Sequence, residues 1–224
     1  MKNILATLTL FATLVVSAQT PITKTVGEFS ILKAYDLINI EMIHSDENKV
    51  EITGKNAHDV VVVNKNGKLK IKMNLEEIYD GNNTHIKVYF TNVDIIDANE
   101  GAFISSNDTF DQYELELKAQ EGGHIKLNLE TKETVIKAVS GGIVELTGST
   151  KNQNISVNTG GILKSKAFVS ETAKVSVRAG GNVNVNASES IDVKIRAGGD
   201  VNIYGNPKTI NENTALGGRI TKMD

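Results

Sequence analysis

The sequence predicts an all-β protein, a parallel β-helix (β-solenoid) of about 19 residues per coil with an irregular N-terminal β part. The first observation is a fixed period. Paired glycines end at Gly123, Gly142, Gly161, Gly181, Gly199 and Gly218, at intervals of 19, 19, 20, 18 and 19 residues, and Gly101-Ala102 reads as a degenerate earlier copy. The second is alternation around each pair. Counting from the second glycine, position +2 holds Ile125, Val144, Leu163, Val183, Val201 and Ile220, and position +4 holds Leu127, Leu146, Ser165, Val185, Ile203 and Lys222. Ahead of the pair, position −6 holds Leu117, Ile136, Ile155, Val175 and Val193, and position −4 holds Ala119, Ala138, Val157, Val177 and Ile195. Period two marks strands with one buried face, so each copy reads as two short strands joined at a glycine corner. The third observation is that nothing in the chain has helical spacing.

Taken in order, the chain opens MKNILATLTLFATLVVSAQT, with Lys2, an apolar run from Ile4 to Val16, and small residues at Ser17 and Ala18. That is the layout of a secretory signal peptide over residues 1–18, cleaved after Ala18. The run is too short to span a bilayer, and no later segment is apolar for long enough. Residues 19–96 form the irregular β part. Its short β patterns are LINIEM from Leu37, KVEITG from Lys49, VVVV from Val60, KLKIKM from Lys68 and HIKVYF from His85, with Asn66-Gly67 as a hairpin turn. Whether these strands are early coils or a separate cap stays open; one continuous domain is favoured. Glu77 to Thr84 reads as a polar, flexible loop. Residues 97–224 form the regular coils. Glycine at each corner allows a sharp turn and leaves room where a Cβ would crowd the next coil, and Ala179 and Ala197 fit the same crowding. A single coil cannot bury enough to fold alone, so stacking must supply the rest. Lys222, where earlier copies carry apolar residues, reads as a polar end cap.

Composition bounds the function. The net charge of −3 gives no general reason to expect nucleic acid or an anionic membrane as partner, and the absence of cysteine excludes both disulfides and a lipid-modified cysteine. Tryptophan is absent and aromatics are few, which argues against a lectin built on stacking platforms.

The N-terminal signal, the opening IEMIHSDENKVEITG, the strand NGKLKIKM and the repeated GG-x-V-x-V coils together resemble the putative auto-transporter adhesin, head GIN domain family, over about Val26 to Ile220. The resemblance implies an exported bacterial protein wound as a right-handed parallel β-helix. The family carries no catalytic residues that could be transferred.

Site residues are therefore read from the pattern. Outward positions −5 and −3 hold Lys118, Lys137, Arg178, Lys194 and Arg196 and no acid, which stacking would align into a partly continuous basic stripe for an anionic polysaccharide or another acidic partner. Outward lysines and arginines also simply solubilise a β surface and discourage aggregation. Asn182, Asn184 and Asn202 with Asp200 form a polar strip that could meet sugar hydroxyls or merely align coils. Adjacent acids occur only at Asp46-Glu47 and Glu76-Glu77, outside the regular coils, so a carboxylate pair or calcium site on the helix is not supported. His44, His58, His85 and His124 lack metal spacing. No cofactor or metal is expected. The reading is a non-enzymatic, adhesin-like or glycan- or partner-binding envelope module. The alternatives are a polysaccharide lyase or hydrolase on the same scaffold, or a structural periplasmic protein. With no surface-sorting tail after Gly218, the periplasm is favoured over the cell surface.

Overall fold

A computed structural model describes residues 21–223, and the expected signal peptide lies outside the described residues. Sixteen strands join in one continuous sheet wound into a β-solenoid of about seven coils. The regular part consists of β9 (Phe103–Gln120), β10 (His124–Val139), β11 (Ile143–Asn158), β12 (Ile162–Arg178) and β13 (Asn182–Arg196). Each is one coil, bent in the middle and stacked parallel on the next. Two lesser strands follow on β13: β14 (Asp200–Tyr204) continues its first half and β15 (Thr209–Ala215) its second, and β16 (Arg219–Lys222) pairs with β14. The register partners His124, Ile143, Ile162, Asn182, Asp200 and Arg219 follow the glycine intervals of the sequence without slippage. The solenoid thus has a face of strands leading into the corners and a face of strands leaving them.

Every regular coil presents the expected inward columns. Positions +2, +4, −6 and −4 are buried from Leu117 through Ile203. Ser165 keeps its inward place because β12 bulges beside it. The register slips between Lys164 and Val169, Ser165 Oγ donates to the Asn184 carbonyl at 2.6 Å, and Phe168 fills the interior, fully buried. In the last coil the inward residues become polar at three places, Glu212 opposite Val193, Thr214 opposite Ile195 and Lys222 opposite Ile203. The polar end is therefore broader than Lys222 alone.

The corners differ from expectation in one respect. The residue before each glycine pair is left-handed, with φ of 50° at Ser140, 48° at Thr159, 53° at Ala179 and 60° at Ala197, and it is solvent-exposed. Alanine at positions 179 and 197 is thus not explained by crowding, since serine and threonine occupy the same place. Two consecutive positive φ values closed by the Gly123, Gly142 and Gly161 N–H groups on the Gln120, Val139 and Asn158 carbonyls, at 2.8, 3.0 and 3.1 Å, make these three corners type I′-like turns, whereas at Gly181, Gly199 and Gly218 the second glycine also has positive φ, 142°, 119° and 125°.

The N-terminal part is built from the same coils, stacked out of chain order. β2 (Ile31–Ala34) and β3 (Asn39–His44) form one coil. It lies between β8 (Ile95–Ala98) with the start of β9 on one side, and β6 (Lys68–Met73) with β7 (Thr84–Phe90) on the other. Antiparallel strands close this end: β5 (Val60–Lys65) hairpins onto β6 through Asn66-Gly67, β4 (Lys49–Gly54) pairs with β7, and β1 (Ile22–Thr25) pairs with β4. The segment Glu77 to Thr84 is less polar than read. Within it Gly81 and Thr84 are buried, and Ile78 and Tyr79 are exposed apolar side chains.

Candidate functional site

The alternation that buries the −6 and −4 columns turns the residues between them outward, so the basic side chains do share one face. The register aligns Lys118 with Lys137, Lys137 with Ser156, Ser156 with Ser176 and Ser176 with Lys194 in one column. The neighbouring column runs Gln120, Val139, Asn158, Arg178, Arg196. The stripe is therefore only partly continuous. One coil, with Ser156 and Asn158 at the two positions, divides it into a pair of lysines and a cluster of Arg178, Lys194 and Arg196.

The two halves also differ in charge. Glu116, two positions before Lys118 and on the same face, lies 3.3 Å from the Lys118 Nζ and 2.7 Å from the Lys137 Nζ. Burial alone would raise the Glu116 carboxyl, but the hydrogen bonds from Lys137 and Lys118 hold it below the usual carboxylate range. That half has both lysines paired to one carboxylate, which leaves it a single net positive charge. Arg178, Lys194 and Arg196 are exposed, and none has an acidic partner within 4.0 Å among the described residues. Arg178 and Arg196 stand in direct register on adjacent coils, a spacing of about 4.8 Å. Beside them a shallow hollow of about 420 Å³ is lined by Lys174, Ser176, Asp192, Lys194, Glu212 and Asn213. The surface offers guanidinium forks, two ammonium groups, a hydroxyl and amides, with the Asp192 and Glu212 carboxylates at its edge. That set can hold carboxylates or sulfates and hydrogen-bond hydroxyls.

The polar strip after the corner is aligned as expected, and its groups largely satisfy one another. Asn202 Nδ2 donates to Asn184 Oδ1 at 2.9 Å, and Asp200 accepts from Arg219 Nε at 2.9 Å. Similar ladders link Asn128 to Thr109 and Thr147, and Asn152 to Glu133 and Thr172. These side chains tie coil to coil. The histidines stay apart from one another and from carboxylate clusters: no three potential ligands converge on a metal position among the described residues. His124 packs against Phe103, and burial lowers its imidazole below the ordinary value.

Sequence reasoning missed two features of this face. One is Asp97, whose −5 position falls in register with Lys118 and Lys33, and which is buried beneath Lys33, Asn99 and Gln120. The other is the row Lys65, Lys68, Lys70 and Lys72 on the β5–β6 hairpin, visible in NKNGKLKIKM as alternating lysines but attached to the face only by out-of-order stacking. No helix of the described residues is long and apolar enough to cross a membrane.

Solved structures share this fold. An adhesin (so far putative) from Bacteroides fragilis superposes with a TM-score of 0.82 at 18% identity, covering 92% of this chain and 98% of that one. Another putative adhesin, from Parabacteroides merdae, gives 0.66 at 14% identity over 92% and 97%. A protein from Parabacteroides distasonis described as a putative lipid binding protein gives 0.64 at 16% over 92% and 98%. At these identities the likeness shows the fold alone. No curated protein matches the sequence significantly. A family model matches residues 28–207, from the loop before the first coil to just past β14. The chain belongs to the family described as putative auto-transporter adhesin, head GIN domain.

Proposed function

We propose that the protein is an exported, non-enzymatic, adhesin-like envelope module that binds anionic polysaccharide through Arg178, Lys194 and Arg196. The observation that carries this reading is the direct register of two unpaired arginines with a lysine beside them on a rigid flat sheet. A linear polyanion presents charges at intervals, and a sheet repeating every coil meets it at several points at once. Family membership and the adhesin neighbours support a binding role, and the signal-like N-terminus supports export.

The test is retention of the purified protein on immobilised alginate, polygalacturonate and a sulfated glycosaminoglycan across a salt gradient. Wild type should be retained and released by salt, and Arg178→Glu with Arg196→Glu should lose retention at least about tenfold, the scale of one well-made charged contact. Lys118→Glu with Lys137→Glu should matter less, because Glu116 already engages both lysines. Equal losses from both pairs would reduce the effect to net charge, and no loss from the arginine pair would end the proposal.

We further assign the protein to the periplasm. Protease added to intact cells should leave it whole until the outer membrane is lysed. Digestion on intact cells would instead place the binding face on the outside of the cell.

A further inference from the structure

At the far end of the same face, the hairpin β5–β6 turns outward a mixed row in which Val61 pairs with Lys72, Val63 with Lys70 and Lys65 with Lys68. The loop that follows β6 stands beside it. Its Leu75, Ile78 and Tyr79 are 80%, 44% and 59% exposed, and Val63 across from them is 47% exposed. The other large exposed apolar side chains of the described residues are scattered, whereas these four converge, which is the pattern of an interaction surface. The loop is held in shape rather than left loose. Asn74 Oδ1 accepts from the Glu76 and Glu77 amides at 2.9 and 3.0 Å, and the Gly81 amide donates to the Asp36 carbonyl at 3.1 Å. Leu75 is thereby fixed in solvent.

Between hairpin and loop lies a cleft of about 550 Å³, with Val61, Val63, Lys70 and Lys72 on the hairpin side, Leu75, Ile78 and Tyr79 on the loop side, and Asp36 and Glu100 also lining it. Lysines stand on the hairpin, and Glu76 and Glu77 on the loop beyond it. None of Lys70, Lys72, Glu76 and Glu77 has an ion-pair partner within 4.0 Å among the described residues. Lysines on the hairpin, exposed apolar side chains beside them and glutamates on the loop make a surface complementary to itself under a twofold rotation, as an isologous interface requires.

We propose that this end of the solenoid is a self-association surface in which two copies exchange loops across a twofold axis. Leu75 of each copy enters the cleft of the other and packs on Val61 and Val63, and Glu76 and Glu77 of each meet Lys70 and Lys72 of the other. A lipid surface fits less well, because Glu76 and Glu77 flank Leu75 and would face the headgroups. The surface is separate from the arginine cluster, so a dimer would carry two polysaccharide-binding faces and gain avidity without new contacts.

Sedimentation equilibrium on the mature protein tests this. A wild-type dimer with a dissociation constant on the order of micromolar is expected, and Leu75→Asp, at an exposed site where folding is not at risk, should leave a monomer. Lys70→Glu with Lys72→Glu should weaken the dimer roughly tenfold or more, and adding Glu76→Lys with Glu77→Lys in the same chain should restore it. Failure of the four-fold exchange to restore association overturns the cross-pairing, and a dimer indifferent to Leu75→Asp overturns the surface. A wild type that remains monomeric overturns self-association. If Leu75→Trp, the only tryptophan in the chain, then shifts its emission to the blue with anionic vesicles, the occupant is lipid instead. Retention of monomeric Leu75→Asp on polysaccharide separates this outcome from that of the arginine cluster.

Discussion

Gly142→Ala should destabilise the protein by about 3 kcal/mol or more, while Gly141→Ala, one residue earlier, should cost only about 1–2 kcal/mol. In the corners ending at Gly123, Gly142 and Gly161 the two glycines are needed for different reasons. Gly141 has φ of 75° and nothing within 4 Å of where a Cβ would stand, so alanine there meets backbone strain and no neighbour. That strain is tolerable in this fold, because Ser140 and Thr159 carry side chains at φ of 50° and 48°. Gly142 has no such φ, yet its Cβ would fall inside hard contact with the carbonyl carbon and oxygen of Ala119 in the preceding coil. Gly123 against Ala98 and Gly161 against Ala138 repeat the arrangement. These are backbone atoms held by inter-coil hydrogen bonds, so relief requires the coils to separate. Urea midpoints read by circular dichroism decide the matter. If Gly141→Ala proves as costly as Gly142→Ala, left-handed geometry and not inter-coil spacing sets the glycine period.

The coils were legible because both of their signals are local. Glycine spacing set the period, and alternation set the face, so columns from Leu117 to Ile203 could be assigned inward from the sequence alone. The N-terminal coils were not legible for a physical reason. Ile31 pairs with Lys68 and with Ile95, 37 and 64 residues further on, so no repeat near 19 residues can appear there. The candidate site was legible only in part. Positions −5 and −3 were read, but Glu116 at −7 shares their face, and its reach to Lys118 and Lys137 follows from side-chain length and not from column. The extra residue of the 20-residue interval was visible, but that it would bulge β12 and send Phe168 inward was not. Extending the −6 and −4 columns one copy further would have found Glu212 and Thr214, and with them the full polar end.

Asp97→Ala should cost about 3 kcal/mol, and Asp97→Leu combined with Lys33→Met should recover most of it. Asp97 is 1% exposed although it lies on the outer face, because its neighbours close over it. Lys33 Nζ approaches Oδ2 at 2.6 Å, and Asn99 Nδ2 and Gln120 Nε2 donate to Oδ1 at 3.0 and 2.9 Å. Burial alone would lower the Lys33 ammonium, but its bond to Asp97 carries it above the ordinary lysine value. A lysine raised on folding contributes stability that is fully present below its unfolded value and is lost as pH rises through the folded one. The pair therefore holds through neutral pH. Truncating Asp97 deprives the half-buried Lys33 of its counter-charge and removes the acceptor that Lys33, Asn99 and Gln120 share, leaving a gap beneath them. Replacing both partners with apolar side chains removes the desolvation cost along with the attraction, leaving Asn99 and Gln120 bonded to each other at 3.1 Å. A double-mutant cycle in urea measures the coupling. A coupling energy near zero would mean that Asp97 acts through Asn99 and Gln120 instead. A double variant as unstable as Asp97→Ala would mean that the ion pair is itself what joins the out-of-order coil of β2 to the regular stack.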